Sequence, residues 1–186
     1  MITLNFNPFP VLESERLHYR RLNENDLDII LKLRGNPESM KYIPRPLCKN
    51  LDDAKAHLDM INQKINANEA INWAVVLKTT QEVIGFVGHY RIQIENARSE
   101  IGYMITPEHY NMGYTTEIVN TLLDYGFNTL DLHSIEAVID PENTASERVL
   151  QKNNFVKEAH LIENEFFDGK YLDTVIYSLL KRNYTK

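Results

Sequence analysis

Three β-rich runs follow one another with almost no chain between them: Asn72 to Lys78, Val83 to Ile94 and Glu100 to Ile105. The first two are rich in Val, Ile and Phe, and the polar turn Thr79 to Glu82 joins them as a hairpin. Pro107 breaks the third run. From Gly113 the apolar positions Ile118, Leu122, Leu123 and Phe127 recur at helical spacing, and Ser134 to Ile139 is again β-branched. An antiparallel meander that feeds a strand–helix–strand crossover belongs to a layered α+β protein.

The remaining segments fit that plan. Alternation around Arg16 to Leu22 gives a first strand, and Asn25 with Asp28 at the capping spacing opens a helix through Ile29, Ile30 and Leu33, which Pro37 helps to end. Pro44 and Pro46 make Met40 to Lys49 an irregular loop, after which Asn50 caps a helix that carries Leu51, Ala54, Leu58, Ile61 and Ile65 on one face. Asn143 to Asn153 reads as a short helix. Val156 to Phe167 and Tyr171 to Leu180 close the chain as a strand pair around Asp168-Gly169. The expected total is about seven strands and about four helices. No repeat, linker or long charge block divides residues 1–186, so a single domain is expected, and a chain of this length buries about 70% of its unfolded surface in one core.

Composition narrows the function. Twenty basic against twenty-six acidic residues leave a formal charge of -6, which argues against nucleic acid as the main partner and is compatible with a cationic substrate. No apolar run approaches the roughly 20 residues of a membrane span, so no membrane partner is expected. Met1 to Pro10 lacks the basic and unbroken apolar stretches of a signal peptide, and the lone Cys48 excludes an internal disulfide. A cytoplasmic location is the expectation. Six histidines show neither i, i+4 nor H-x-H pairing, so metal binding has little support.

Chemistry concentrates between Glu100 and Glu117, where a strand, a short loop and a helix start stand in direct succession. Free N–H groups at the positive end of a helix dipole bind anions, so Met112 to Thr116 can meet a pyrophosphate, with Gly113 permitting close approach. An ordinary capped helix shows the same local pattern. The odds change with a second element, Asp140-Pro-Glu-Asn-Thr-Ala-Ser-Glu-Arg-Val-Leu-Gln-Lys-Asn-Asn-Phe155, and with the opening Leu12-Glu-Ser-Glu-Arg-Leu-His-Tyr-Arg-Arg-Leu22. In this order the segments resemble the GNAT superfamily of acyl-CoA-dependent N-acetyltransferases, and its ribosomal-protein (RimJ/RimL-like) branch. Tyr110 to Glu117 is similar to the W-G-x-G-Y-A-T-E loop, and Asn143 to Phe155 to N-x-x-S-x-x-V-L-x-K-x-G-F. Thr115 and Asn154 depart from the usual small residue or Gly at their positions. Asn is the next best residue to Gly for a left-handed helix end.

The resemblance implies a mixed, twisted seven-stranded sheet, splayed between its fourth and fifth strands, with acetyl-CoA in the split. The pantetheine arm would lie along Met104 and Ile105, the pyrophosphate against Asn111, Met112, Gly113, Tyr114, Thr115 and Thr116, and Asn143 would cap the next helix while facing the cofactor. Glu165 matches the position of a base acting through water, with Glu163 its competitor on the same strand face. Leu150 occupies the position where many members carry a phenolic acid. Ser146 matches the serine thought to serve the thiolate instead, and Tyr103 and Tyr171 are further candidate acids. A protein N-terminal α-amine of pKa about 8 is far easier to deprotonate than a lysine near 10.4. The leading expectation is therefore a protein N-terminal acceptor of ribosomal-protein type. A small-molecule amine acceptor and a non-catalytic acyl-CoA-binding module are the alternatives, and a homodimer through strand or helix edges is compatible with all three.

Overall fold

The consecutive β-rich runs form the middle of one twisted sheet in the computed structural model, which describes residues 2–185. Its strands are β1 (Leu12–Glu13), β2 (Leu17–Arg21), β3 (Ile71–Leu77), β4 (Val83–Gln93), β5 (Arg98–Ile105), β6 (Ser134–Ile139), β7 (Val156–Phe167) and β8 (Lys170–Leu180). They lie in the order β1-β2-β3-β4-β5-β6-β8-β7. All neighbours are antiparallel except β5 and β6, the pair joined by the crossover. The α+β expectation holds, with eight strands among the described residues because the two-residue β1 pairs Leu12 with Tyr19.

Helices cover both faces. On β4, Phe86 meets the His57 ring of α3 (Leu51–Asn66), while His89 bonds to a carbonyl of α4 (Tyr114–Asp124). Residues three apart on a strand point to opposite faces, so α3 and its neighbour α1 (Leu27–Arg34) lie on one side of the sheet and α4 on the other. On the α4 side, α5 (Thr144–Lys152) packs between α4 and β6. The core is the space between these layers, where Tyr19, Trp73, Ile84, Ile118, Leu122 and Phe127 are fully buried.

Local chemistry shifts two expected boundaries. Asn23, two residues earlier than expected, caps the turn ahead of α1, because its partner Asp26 accepts from the Asn23 backbone N–H and is buried under a two-pronged bond from Arg20 at 2.8 Å. The arginine selects Asp26 over Asp28. Pro37 does not end α1, which stops at Gly35; it begins the one-turn helix α2 (Pro37–Met40), where a missing N–H costs nothing. That makes five α-helices among the described residues.

The feature that positions a site is the early end of the β5–β6 pairing. The register runs Arg98 to Ser134, Ser99 to Ile135 and Glu100 to Glu136, yet β5 continues to Ile105 and β6 to Ile139. Beyond Glu100 the two strands diverge. Their facing backbone groups have no strand partner, and such an edge is a template for an extended chain.

Candidate active site

At the β5 end of the split lies the start of α4. Asn111 and Gly113 both have positive φ, 60° and 80°, and Gly113 is an N-cap that offers no side-chain bond to the first turn. Both α3 and α5, by contrast, are capped by an asparagine carboxamide. The amides of Tyr114, Thr115 and Thr116 thus keep their free N–H groups at the positive end of an 11-residue helix. Arg16 fixes this loop: its Nη1 donates to the Met112 carbonyl at 2.9 Å, its Nε to Glu117 Oε2 at 2.7 Å, and its guanidinium lies 4.3 Å from the Tyr114 ring centroid. Ser14 and the Arg16 backbone N–H also donate to Glu117. Burial opposes its ionisation, but these bonds outweigh it and hold the Glu117 carboxyl below the usual range.

A cleft of about 580 Å³ passes through the split itself. Gly102, Tyr103 and Met104 of β5 face Ala137, Val138 and Ile139 of β6 across it, and Asn143 and Ser146 of α5 close one end. The other end opens on the α1 and α3 face, between Arg34, His57, Phe86 and Tyr90, under the loop Tyr42 to Arg45. Asn164 and Glu165 of β7 form the remaining wall.

Several polar groups in this cleft are far from their ordinary state. Tyr103 Oη is buried and has no hydrogen-bond partner. Burial pushes this phenol up to about 12, with the Ser146 hydroxyl beside it partly opposing the shift. Burial also raises Glu100, against the pull of Arg91, which donates to it at 2.8 Å. His57 is lowered to about 4, by burial first and then by the charge of Arg34. Glu165 accepts from Arg45 at 2.6 Å through Oε1, a bond that ties the loop to β7 across the mouth of the cleft.

Comparison with known proteins agrees with this geometry. The acetyltransferase (GNAT) domain family matches residues 16–156. The chain belongs to the GNAT superfamily. It is 37% identical over 173 residues to an uncharacterized N-acetyltransferase, p20, of Bacillus licheniformis, covering 93% of this chain and 97% of that protein. It is 29% identical to a spermidine N(1)-acetyltransferase of Vibrio cholerae, over 92% of this chain and 96% of the other. A crystal structure of a V. cholerae spermidine N-acetyltransferase, in complex with CoA and spermine, superposes with a TM-score of 0.82 at 28% identity, covering 92% of this chain and 99% of that one. The comparison establishes the superfamily and acetyl-CoA-dependent N-acetyl transfer. It does not single out the ribosomal-protein branch, since spermidine acetyltransferases stand among the neighbours.

The residues expected from GNAT resemblance fall into two groups in space. Asn111 to Thr116 form the uncapped loop and helix start, and Met104 and Ile105 lie on the stretch of β5 that pairs with β4 but no longer with β6. Asn143 caps α5 by accepting from the Ser146 N–H at 3.1 Å, and it lines the cleft together with Ser146, Tyr103 and Glu165. The donor set fits acetyl-CoA: free amides for the pyrophosphate, a free strand edge for the amide-bearing arm, and a buried phenol without a partner where the arm would end. Glu165 lines the cleft, whereas Glu163 is not among its lining residues. A bulge between Leu161 and Glu165, with Glu163 at φ 50°, breaks the two-residue alternation, and the Glu163 backbone N–H donates to Asp173 at 2.9 Å. Tyr171 packs against Phe166 in the exposed β7–β8 hairpin, with the rings tilted at 57°, and does not line the cleft. Sequence reasoning missed Arg34, Arg45 and the place of Glu100. Only Glu100 carried a signal, as the first residue of the motif segment.

Proposed function

We propose that this GNAT enzyme acetylates the primary amine of a small molecule. One observation carries the reading: a cleft runs through the strand split, from Met104, Asn143 and Ser146 at the cofactor-binding end to an acceptor end under the loop that Arg45 fastens to Glu165. A cleft of about 580 Å³ is the size of a small-ligand pocket, and its roofed mouth suits a free amine better than a folded protein. The relatives named as spermidine acetyltransferases support the same acceptor class. A protein N-terminal α-amine is the second reading, favoured by its low amine pKa.

In this reading Met104 and Ile105 hold the cofactor arm and Asn111 to Thr116 its pyrophosphate, with Asn143 and Ser146 at the reacting end. Acetyl-CoA supplies the activated acyl group when bound. Glu165 keeps its Oε2 for a water that relays the amine proton, since Arg45 occupies only Oε1. Ser146 and Tyr103 donate hydrogen bonds to the negative charge that develops on sulfur or the acyl oxygen. A phenol pushed up to about 12 gives such a bond without releasing its proton. A homodimer across the β7 edge belongs to the same reading, because β7 ends the sheet and exposes Ile162 and Phe166.

Calorimetric titration with acetyl-CoA, followed by thiol release as small amines and Ala- or Ser-starting peptides are offered, tests the proposal. Binding with turnover of small amines, lowered at least tenfold by Glu165→Gln, is expected. Turnover confined to peptides transfers the activity to the second reading, and failure to bind acetyl-CoA removes both. If Glu100→Gln abolishes the acidic limb of the pH profile while Glu165→Gln does not, the base is Glu100.

A further inference from the structure

The acceptor end of the cleft contains three arginines and two glutamates, and each glutamate already has an arginine of its own. Arg91 bonds Glu100 at 2.8 Å and Arg45 bonds Glu165 at 2.6 Å. Arg34, the last residue of α1, is left over. Its Nε is buried without a hydrogen-bond partner, and among the described residues no carboxylate pairs with it. The groups that feel its charge are His57, which is held neutral, and the Tyr90 phenol, whose hydroxyl accepts from Asn72. Arg34 as a whole is half-buried, but a donor N–H taken out of solvent at the cleft wall is costly unless something bonds to it. Its planar fork matches a carboxylate or phosphate.

We infer that the acceptor carries, besides its primary amine, an anionic oxygen group that Arg34 binds. This rests on the small-amine reading above and narrows it: the amine reaches Ser146 and Tyr103 through the split while the anion stays at the α1 end. A polyamine would instead bring a second cation against Arg34, and the backbone of a protein N-terminus would offer it neutral carbonyls.

Matched amines test this by thiol release in the presence of acetyl-CoA: β-alanine against ethylamine, L-lysine against cadaverine, and phosphoethanolamine against ethanolamine, with spermidine alongside. The anionic member of at least one pair is expected to show a kcat/KM at least tenfold higher, with the difference in KM. Preference within the first two pairs assigns a carboxylate and preference within the third a phosphate. Arg34→Met is expected to raise the KM of the anionic member about tenfold and leave its neutral partner unchanged, while Arg34→Lys retains part of the preference. Should Arg34→Met fail to fold, the wild-type ranking of anionic amines against spermidine decides. Equal use of both members, preference for spermidine, an equal effect of Arg34→Met on both, or no turnover of any probe overturns the inference. Acetyl-CoA binding and neutral-amine turnover without an anion preference would leave the small-amine reading standing, whereas absence of acetyl-CoA binding would remove that reading too.

Discussion

Tyr103 holds its hydroxyl in a buried position without a partner, an arrangement that costs on the order of 1–3 kcal/mol unless a ligand completes the bond. Leu150 fills the helix position from which a phenol commonly reaches the sulfur in this superfamily, and it is fully buried in the core here. The phenol that lines the split comes from β5 instead of α5. Removing it should therefore separate stability from turnover: Tyr103→Phe is expected to raise the unfolding free energy by about 1 kcal/mol and to lower kcat about 10- to 100-fold, with the acetyl-CoA dissociation constant little changed. Thermal melting and steady-state kinetics on the same sample check both halves. Ser146 lies beside Tyr103 and shares the developing charge, so Ser146→Ala alone should cost less than tenfold and the double variant more than either.

The start of α4 is a device that no one residue supplies. Glu117 collects Ser14, the Arg16 amide and the Arg16 side chain, and Arg16 in turn fastens the Met112 carbonyl, so the opening motif and the loop motif are two halves of one contact. Gly113 has only Arg16 Nη2 near a would-be Cβ, at 3.5 Å, so its need is for the positive φ and an open approach. Gly113→Ala is expected to cost about 1 kcal/mol of stability through that φ and to weaken acetyl-CoA binding about tenfold in calorimetry. Glu117→Gln should weaken binding comparably by releasing Arg16, although Gln is uncharged and the change places less negative charge near a pyrophosphate. If positioning by Arg16 matters less than local charge, affinity would rise instead. Elements such as these were legible because they are local: β6 spans Ser134–Ile139 as expected, and Asn50 and Asn143 cap the helices assigned to them. Contacts made across the fold left no periodic trace. The Arg45–Glu165 tie spans 120 residues, the bulge at Glu163 interrupts an otherwise regular strand pattern, and Arg34 reads as an ordinary basic residue at a helix end.

At the scale of the whole molecule the two helical layers and the sheet are joined through histidines that must stay neutral. His89, fully buried on β4, lies 3.0 Å through Nε2 from the Leu122 carbonyl of α4 and 2.8 Å through Nδ1 from the Ser99 hydroxyl of β5. A carbonyl can only accept, so Nε2 carries the proton and Nδ1 accepts from Ser99. Burial lowers His89 to about 4, and His57 on the opposite face likewise. Their folded values lie below the unfolded 6.5, so the unfolded chain binds more protons between the two, and the stability they allow is complete above pH 6.5 and is lost as pH falls through about 4. Each contributes on the order of 3 kcal/mol over that span. Glu100 works the other way, since burial raises its folded value and favours folding at low pH, but Arg91 offsets part of that shift. Glu117, held below its ordinary value, adds to the acid loss only at the lower end of the range. Two histidines against one partly compensated carboxylate predict a net fall of several kcal/mol in the urea-unfolding free energy from pH 7 to pH 4.5. His57→Gln should remove about half of that slope, because His57 stands on one face of the sheet and His89 on the other and neither shields its partner from protonation. A slope unchanged in His57→Gln would assign the acid sensitivity to the buried link through His89 alone.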